Sequence, residues 1–463
     1  MKTDVLIVGG GPAGSASAMN LLAEGITPVI VEAESFPRYH IGESMTGACG
    51  KAIRDLGLEA EMYRRGYPTK QGVKVFGQSP RGSWFVPVTG RDEEWKLFNW
   101  DTWQVRRSDF DKMALDQAVT RGATVLRGKA VTPIVRDGVV VGADVRMDDG
   151  GVQEIRSEVL LDCSGQATWL ANLGGVTGPK YLGAYDKQIA IFSQVSGARR
   201  DESLDKNENR ENHRDNTLIF YQKKYHWSWF IPLDADVVSV GVVIPSAYFL
   251  EKNESLRDFY LRELQELHPE LKRRTDGCPL VEDIHVIPNY SYQVKKFCGK
   301  GFMCVGDSHR FIDPIFSFGL TVALREAQFA APAIRAYLNG ANRDAENPFG
   351  EHQLFCEKGI DILEDVLDAF WEHPLAFGWS VHSKYTEHMT DMFAGRIYGH
   401  ERQPSIALDA FRQLLGRTGE REASYASEDL YSIPIGSRYH PERAAIWDVN
   451  SPVSTTEAWL GPR

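Results

Sequence analysis

A glycine-rich turn between a buried strand and a helix is the feature that most constrains the fold of this chain. The run Val5-Leu6-Ile7-Val8 is continuous and apolar, as expected of a parallel strand covered on both faces. It enters Gly9-Gly10-Gly11-Pro12-Ala13-Gly14, after which small and apolar residues recur at helical spacing. A second strand at residues 28–31 ends on Glu32. These elements predict a βαβ unit of about 30 residues.

The spacing of the glycines predicts a dinucleotide site. Glycines in a GxGxxG pattern let the backbone turn tightly and let a pyrophosphate approach the amino terminus of the helix. Glu32, at the end of the second strand, is placed to accept hydrogen bonds from a ribose diol and disfavours a 2′-phosphate. FAD or NAD is therefore expected before NADP, with these residues of the turn in contact with the cofactor: Gly9, Gly11, Pro12, Ala13 and Gly14.

A second segment narrows the cofactor to FAD. Asp307 follows a strand-like run at 302–305 and is placed to bind a ribityl chain. The following residues, from Phe311 to Gly319, lead into a helix that starts near Leu320. Backbone N–H groups at that helix start would face a flavin ring or an anion. By itself this segment also fits a turn that caps a helix.

Composition excludes several classes of protein. The 463 residues include 52 Lys and Arg against 63 Asp and Glu, a net charge of −11, which disfavours a nucleic-acid partner. Hydrophobic content of 43% fits a globular protein with a large core. No run of 18 apolar residues indicates a membrane span, and the amino terminus fits a cytoplasmic protein. The six cysteines are scattered singly, so neither a disulfide framework nor a metal site is expected.

Four motifs resemble those of the flavin-dependent halogenases. Phe36-Pro37-Arg38-Tyr39-His40-Ile41-Gly42-Glu43-Ser44 is similar to the signature of that family, and Trp227-Ser228-Trp229-Phe230-Ile231-Pro232 fits its WxWxIP pattern. Asp162-Cys163-Ser164-Gly165 and Gly306-Asp307 resemble its other FAD motifs. The similarity covers residues 4–330, and the chain looks most similar to the branch that acts on phenols and pyrroles in bacterial natural-product pathways.

The resemblance implies an activity and its partners. Reduced FAD from a separate flavin reductase would react with O2, and chloride or bromide would be oxidised to hypohalous acid. The acid would then move through an internal tunnel to a small aromatic substrate, either free or tethered to a carrier protein. The residues that the resemblance places on FAD, beside the glycine turn and Glu32, are Arg38, Ser44, Arg106, Asp307, Pro314 and Gly319.

A lysine on the substrate side of the tunnel is essential in that family. Lys70 lies at about the family's distance from the glycine turn and is the candidate catalytic residue, with Lys74 as a rival. A shielded ammonium can donate a hydrogen bond to hypohalous acid, and a lowered pKa would also allow a haloamine. Trp227 and Trp229, two apart on one strand face, would block the direct route from flavin to substrate.

Two departures from the family pattern concern the halide and the substrate. Phe316 stands where tryptophan halogenases have a glutamate that helps to take the ring proton, which favours an electron-rich phenol or pyrrole. Phe318 stands where a Ser or Thr usually precedes the glycine of the halide site. The backbone N–H groups of Phe318, Gly319 and Leu320 are the candidate halide ligands. His40, Glu43, His309 and Asp313 are interpreted as structural hydrogen-bonding groups.

Three other functions fit part of the sequence. An aromatic hydroxylase of the same fold shares the FAD motifs, although no arginine follows Asp162 in Gln166-Ala167-Thr168-Trp169-Leu170 as NADPH-binding hydroxylases often have. A saturase-type flavin reductase would share the FAD fingerprint but not the paired tryptophans. An FAD-binding accessory protein with decayed activity would bind the cofactor and consume no halide.

The predicted fold is α/β: an FAD-binding Rossmann-type unit with an inserted antiparallel sheet and a helical carboxy-terminal region. Residues 1–180 and 296–340 form the discontinuous FAD-binding unit, 181–295 the β-rich substrate unit and 341–463 the helical region. A helix is expected at 105–118 and another at 256–267, with strands at 189–195, 217–221, 227–232 and 237–244. Residues 201–215 are expected to form an exposed loop, and helical periodicity extends to about 415, followed by an irregular stretch.

Overall fold

The computed structural model describes residues 1–398, except 78–81, 184, 186, 205–208, 289, 373 and 383–384. The predicted helical residues 399–415 and the irregular stretch after them lie outside the described residues. Within the described ranges, no helix is both long enough and apolar enough to cross a bilayer.

The described residues form 21 strands and 12 α-helices. The strands are β1 (Lys2–Val8), β2 (Val29–Glu32), β3 (Thr69–Lys70), β4 (Gly72–Phe76), β5 (Ser83–Pro87), β6 (Thr89–Arg91), β7 (Leu97–Asn99), β8 (Thr102–Trp103), β9 (Thr124–Arg136), β10 (Val139–Met147), β11 (Val152–Asp162), β12 (Lys180–Leu182), β13 (Gln188–Val195), β14 (Thr217–Lys223), β15 (His226–Pro232), β16 (Val238–Pro245), β17 (His285–Pro288), β18 (Tyr292–Val294), β19 (Cys298–Gly299), β20 (Phe302–Cys304) and β21 (Arg310–Phe311). The helices are α1 (Pro12–Ala23), α2 (Gly47–Asp55), α3 (Glu59–Arg64), α4 (Arg107–Thr120), α5 (Trp169–Leu173), α6 (Ser246–Lys252), α7 (Leu256–Glu266), α8 (Pro269–Thr275), α9 (Gly319–Leu338), α10 (Gly350–Glu372), α11 (Pro374–His382) and α12 (Thr386–Phe393).

The first sheet carries the predicted βαβ unit. β1 pairs in parallel with β2 on one side and with β11 on the other, so Leu6 lies between Val29 and Leu160. β9 and β20 extend the parallel sheet at its two sides, and β10 pairs antiparallel with both β9 and β11. The residues of β1 from Val5 to Val8 are all buried, as the apolar run predicts. The predicted α/β architecture is thus confirmed.

The second sheet has the order β17-β13-β16-β15-β14-β4-β5. The four strands predicted at its centre are present as β13, β14, β15 and β16, each within two residues of the predicted bounds. β4 and β5 lie within residues 72–87, which belong to the FAD-binding unit predicted at residues 1–180 and 296–340. β4 joins the second sheet by parallel pairing with β14, in the register Val75↔Ile219.

Helices cover both sheets and close the site. α4 and α7 lie within two residues of the helices predicted at 105–118 and 256–267. α9 packs on α1 of the first sheet, whereas α10, α11 and α12 share a hydrophobic core with β4, β14 and β15. That shared core brings the helical region against the second sheet.

The expectation of an exposed loop at 201–215 is wrong for its second half. Arg210 donates to the carbonyl oxygens of Gln71, Val88 and Trp100 at 3.0, 3.1 and 2.5 Å, and His213 is buried. A guanidinium has five N–H donors, so one arginine can fix several backbone segments at once. The charged composition of residues 201–215 therefore predicted exposure for residues that are in fact packed against the protein.

Candidate active site

A cavity of about 750 Å³ is lined by residues of both sheets. One end is lined by the glycine turn after β1 and by Glu32 at the end of β2. The cavity continues past the first turn of α9 to Trp227 and Trp229 on β15. Its volume and its position at the carboxyl ends of parallel strands fit a dinucleotide such as FAD.

The glycine turn has the close approach that a bound pyrophosphate requires. Gly9 has a φ of 101°, in the left-handed region, and a Cβ there would lie 2.5 Å from the carbonyl oxygen of Cys163. A Cβ on Gly14 would lie 1.9 Å from the carbonyl oxygen of Gly9. Glu32 fixes the turn from the other side, since its Oε2 accepts a hydrogen bond of 2.6 Å from the Gly10 amide.

Most of the residues predicted to bind cofactor or halide meet at this cavity. Its lining includes Gly9, Gly11, Pro12, Ala13, Glu32, Arg38, Ser44, Trp227, Trp229, Asp307, Pro314, Phe318, Gly319 and Leu320. Gly14 is not on the lining and supports the turn from behind. Burial raises the pKa of Asp307 to about 7, so this side chain can hold a proton beside a ribityl chain. The donor set, the glycine cradle and the shape therefore fit FAD.

Arg106 lies outside the lining, although the sequence assigned it to the cofactor. Its guanidinium donates to Gln194 Oε1 at 2.6 Å and to Asp234 Oδ2 at 2.8 Å. The next residue, Arg107, is buried and lines the cavity instead. Arg106 is the residue before α4, where the chain turns, so neighbouring arginines point to different places.

Arg107 also holds the segment 36–44 in place along the cavity. It donates to the carbonyl oxygens of Ile41 and Gly42, at 2.6 and 3.2 Å, and forms two hydrogen bonds with the Asp111 carboxylate. The backbone of Glu43 accepts a hydrogen bond from the Val105 amide at 2.7 Å. The segment is therefore tied to the start of α4 by side-chain and main-chain contacts.

Glu43 places a buried carboxyl group at the cavity. Glu43 is 1% exposed, and its Oε2 has no hydrogen-bond partner among the residues that the structure describes. Burial raises the pKa of Glu43 to about 7, against a hydrogen bond with Ser239 and the charges of Arg107 and Arg106, which lower it. A carboxyl group with that pKa exchanges its proton near neutral pH.

The paired tryptophans form an aromatic wall of the cavity. The ring centroids of Trp227 and Trp229 are 5.8 Å apart, and Trp229 donates from Nε1 to Ser239 Oγ at 3.2 Å. Gly241 on β16 lies opposite Trp229, and a Cβ there would lie 2.2 Å from the indole ring. A glycine at position 241 thus allows Trp229 to lie flat over the neighbouring strand.

Residues at the first turn of α9 line the cavity. The first N–H groups of a helix have no acceptor within the helix, and they attract anions. Phe318 precedes α9, and the residue before it, Ser317, has a φ of 63°, which is uncommon for a residue other than glycine. The strained turn directs the chain into the helix, so residues 318–320 stay the predicted halide site.

Lys70 lies one side chain away from the cavity. It is 1% exposed, and its Nζ donates to Ser44 Oγ and to the Met45 carbonyl oxygen, both at 2.9 Å. Burial lowers the pKa of Lys70 to about 7. Among the described residues no carboxylate forms an ion pair with it, so the ammonium is held by neutral acceptors alone. Ser44, which lines the cavity, separates the amine from it.

Lys74 occupies a different environment. Its Nζ donates to Asn212 Oδ1 at 2.5 Å and lies 3.8 and 3.7 Å from carboxylate oxygens of Asp201 and Glu211. These contacts engage the Lys74 side chain, and Lys74 is not on the cavity lining. The two lysines therefore differ in their partners: neutral acceptors hold Lys70 beside Ser44 of the lining, whereas Lys74 lies among Asn212 and two carboxylates.

Sequence reasoning missed part of the site. Arg107 could not be told from Arg106 because the pair stands at a helix start. His40, Glu43 and Asp313 line the cavity, whereas His309 does not and instead contacts Glu326 at 2.8 Å. Asp313 accepts from Tyr290 and from the Ile315 amide, which agrees with a structural role. The position of Glu43 inside the Gly42-Glu43-Ser44 motif was the sequence feature that could have indicated a place at the cavity.

The chain matches a known family and characterised relatives over most of its length. A family model described as "FAD binding domain" matches residues 2–346. A 1H-pyrrole-2-carbonyl-[peptidyl-carrier protein] brominase of Pseudoalteromonas luteoviolacea is 37% identical over 378 residues, covering 82% of this chain and 88% of the relative. The corresponding chlorinase of Pseudomonas fluorescens is 26% identical, covering 89% of this chain and 93% of the relative.

A solved structure agrees with these matches. The structure of the flavin-dependent brominase Bmp2 superposes with a TM-score of 0.81 at 35% identity, covering 90% of this chain and all of that chain.

Proposed function

The chain belongs to the flavin-dependent halogenases, and we propose that it halogenates a pyrrole carried as a thioester on a peptidyl carrier protein, with reduced FAD supplied by a separate reductase. The observation that carries the proposal is Lys70, buried beside the cavity with neutral partners. The enzyme is an oxidoreductase that uses FAD and a halide, chloride or bromide. The identity of the ring and its carrier is the proposed part.

The residues along the cavity would hold FAD in an extended form. The glycine turn and the amino terminus of α1 would receive the pyrophosphate, Glu32 the ribose and Asp307 the ribityl chain. Bound and reduced, FAD would supply two of the four electrons that O2 accepts, and the halide would supply the other two and be oxidised to hypohalous acid, with water as the second product. Trp227 and Trp229 would keep an organic substrate away from the ring system.

Lys70 would hold the oxidant and aim it at the substrate. Near its pKa of about 7 the side chain is present both as ammonium and as amine. The ammonium can donate a hydrogen bond to the oxygen of hypohalous acid, which makes the halogen more electrophilic. The amine can instead attack the halogen, forming a nitrogen–halogen bond while hydroxide leaves and takes the amine proton as water.

The surroundings of Phe316 support an electron-rich ring as substrate. Phe316 packs edge-on against Phe318, Phe370 and Phe393, with ring centroids 6.1, 5.5 and 5.1 Å away. Among the described residues this cluster offers no carboxylate to take the ring proton during substitution. A pyrrole is attacked readily because its nitrogen stabilises the cation that forms on halogenation, so its substitution depends less on a well-placed base. The two relatives named above act on carrier-bound pyrrole, which agrees with this expectation.

The proposal is tested by a substrate panel read by mass spectrometry. The enzyme, reduced FAD, O2 and either bromide or chloride are combined with pyrrolyl carrier protein, free pyrrole-2-carboxylate or a simple phenol. We expect halogen on the pyrrolyl carrier protein at the highest rate. Faster halogenation of a free ring would contradict the carrier, oxygen incorporation without halide would indicate a hydroxylase, and FAD binding with no product from any member would indicate a decayed enzyme.

A further inference from the structure

Three short segments meet around Lys70 and build a frame for its side chain. Lys70 on β3 pairs with Thr102 on β8, and Ser44 forms a bridge with Gln104 two residues further along the same segment. The Val105 amide donates to the Glu43 carbonyl oxygen, so the backbone on both sides of the bridge is fixed. The positions of Lys70 Nζ and Ser44 Oγ are therefore set by one shared strand segment.

A chain of hydroxyl groups leads from Lys70 to the cavity. Lys70 Nζ donates to Ser44 Oγ at 2.9 Å, and Ser44 Oγ lies 2.7 Å from Thr217 Oγ1. Gln104 Nε2 donates to Thr217 Oγ1 at 2.8 Å and so holds the far end. Ser44 and Thr217 line the cavity, whereas Lys70 and Gln104 do not.

The hydroxyl groups of Ser44 and Thr217 have one hydrogen-bond donor to spare. A hydroxyl has one hydrogen and two acceptor lone pairs. The Ser44–Thr217 contact uses one of the two hydroxyl hydrogens, so the other remains available to a group in the cavity. The pair can thus accept from Lys70 on one side and donate into the cavity on the other.

We propose that Ser44 is a positioning residue, which orients the Lys70 ammonium toward the cavity and carries its hydrogen bonding to the oxidant held there. The proposal rests on the proposed role of Lys70 and assigns to Ser44 a task beyond contact with FAD. It predicts that the hydroxyl acts through Lys70, because a hydrogen bond of 2.9 Å from a charged donor is strong and no described carboxylate forms an ion pair with Lys70.

The charge of Lys70 provides a readout that needs neither FAD nor substrate. Cys49, itself a buried thiol whose pKa is raised by burial to about 12, is the titratable group that acts on Lys70 in the described structure. An oxygen that accepts from the ammonium favours the charged form. Loss of the Ser44 hydroxyl should therefore lower the pKa of Lys70 and expose the amine at lower pH.

The experiment measures carbamoylation of Lys70 by cyanate between pH 5 and 9 in the cofactor-free protein, by peptide mass spectrometry. Isocyanic acid is small and neutral, like hypohalous acid, and it reacts with the unprotonated amine. Ser44→Ala is expected to lower by about one unit the pH at which the carbamoylation of Lys70 is half of its maximum. Ser44→Thr is expected to restore the wild-type value. Ser193→Ala is the matched control, because Ser193 is also a buried serine whose hydroxyl bonds a backbone oxygen, at 2.8 Å.

Activity and flavin binding then separate positioning from cofactor contact. We expect Ser44→Ala to lower the rate of halogenation about tenfold or more, as for the loss of a hydrogen bond to a charged group, with the affinity for FAD close to wild type. An unchanged carbamoylation profile, or a loss of FAD affinity that accounts for the loss of rate, would overturn the proposal. Because carbamoylation uses no substrate, it judges Ser44 even if no ring in the panel is halogenated.

Discussion

At the scale of single residues, the site combines two buried groups that change charge near neutral pH. Glu43 and Lys70 both have a pKa of about 7, because burial disfavours the charged form of each. The two side chains lie near each other, because Lys70 donates a hydrogen bond to Ser44, the residue that follows Glu43. Buried groups with shifted pKa values are typical of active sites, and here they lie on either side of one serine.

The raised pKa of Glu43 predicts how its removal changes stability with pH. The folded state keeps the Glu43 proton up to about pH 7, whereas the unfolded chain loses it near 4.5, so this group makes folding less favourable as pH rises between those values. Glu43→Gln removes that penalty. The free energy of unfolding of the variant relative to wild type should rise from pH 4.5 to pH 7, by up to about 3 kcal/mol, and then level off.

Urea unfolding of the cofactor-free protein at a series of pH values measures this difference. Glu93→Gln, at an exposed position, is the control and should differ from wild type by the same amount at every pH. A Glu43→Gln difference that is equally flat would show that Glu43 is already charged at low pH.

At the scale of elements, the start of α4 fixes the segment 36–44 against the cavity. Arg107 supplies the contacts to Ile41 and Gly42, and its neighbour Arg106 faces Gln194 and Asp234 instead. Replacing Arg107 by methionine should weaken FAD binding about tenfold or more, because a buried charged donor is lost from the wall. The same change at Arg106 should leave FAD affinity near wild type. Quenching of flavin fluorescence measures both, and the reverse ranking would contradict the assignment.

The contact between β15 and β16 depends on one glycine. Gly241→Ala places a methyl group 2.2 Å from the Trp229 ring, so the indole must move. We expect a loss of about 1–3 kcal/mol in the free energy of unfolding, as for an overpacked core, and a change in tryptophan fluorescence. Gly350→Ala is the control, since its nearest contact would be 3.9 Å away. Equal stability of the two variants would show that Trp229 does not need the space.

At the scale of the whole molecule, the sequence predicted those elements whose residue pattern fits one local structure, such as glycines in a tight turn or a continuous apolar run in a buried strand. The glycine turn, the strand that ends on Glu32 and the four central strands of the second sheet were predicted within two residues. The parallel pairing of β4 with β14 could not be predicted, because it joins segments more than 140 residues apart without a local signal. Arg107 and the packed half of the 201–215 loop were missed because exposure and direction of charged side chains depend on tertiary contacts.

The net charge of −11 also bears on the mechanism at this scale. An acidic protein offers a halide ion no long-range attraction, so capture must rest on local backbone dipoles. The first turn of α9, with Phe318 where the family usually has a hydroxyl side chain, lines the cavity and is the predicted place of capture. Because the protein is acidic and the Phe318 side chain has no hydroxyl group, the backbone N–H groups of this turn are the predicted halide ligands.

The most direct test of the account compares Lys70→Ala with Lys74→Ala in halogenation of pyrrolyl carrier protein. With reduced FAD, O2 and bromide, Lys70→Ala should lose at least about 100-fold in rate, the scale of a lost acid–base group, while FAD binding is retained. Lys74→Ala should keep a rate close to wild type, because its ammonium is engaged by Asn212, Asp201 and Glu211 away from the cavity. Halogenation retained in Lys70→Ala, or lost only in Lys74→Ala, would contradict the assignment of Lys70 as the reactive lysine.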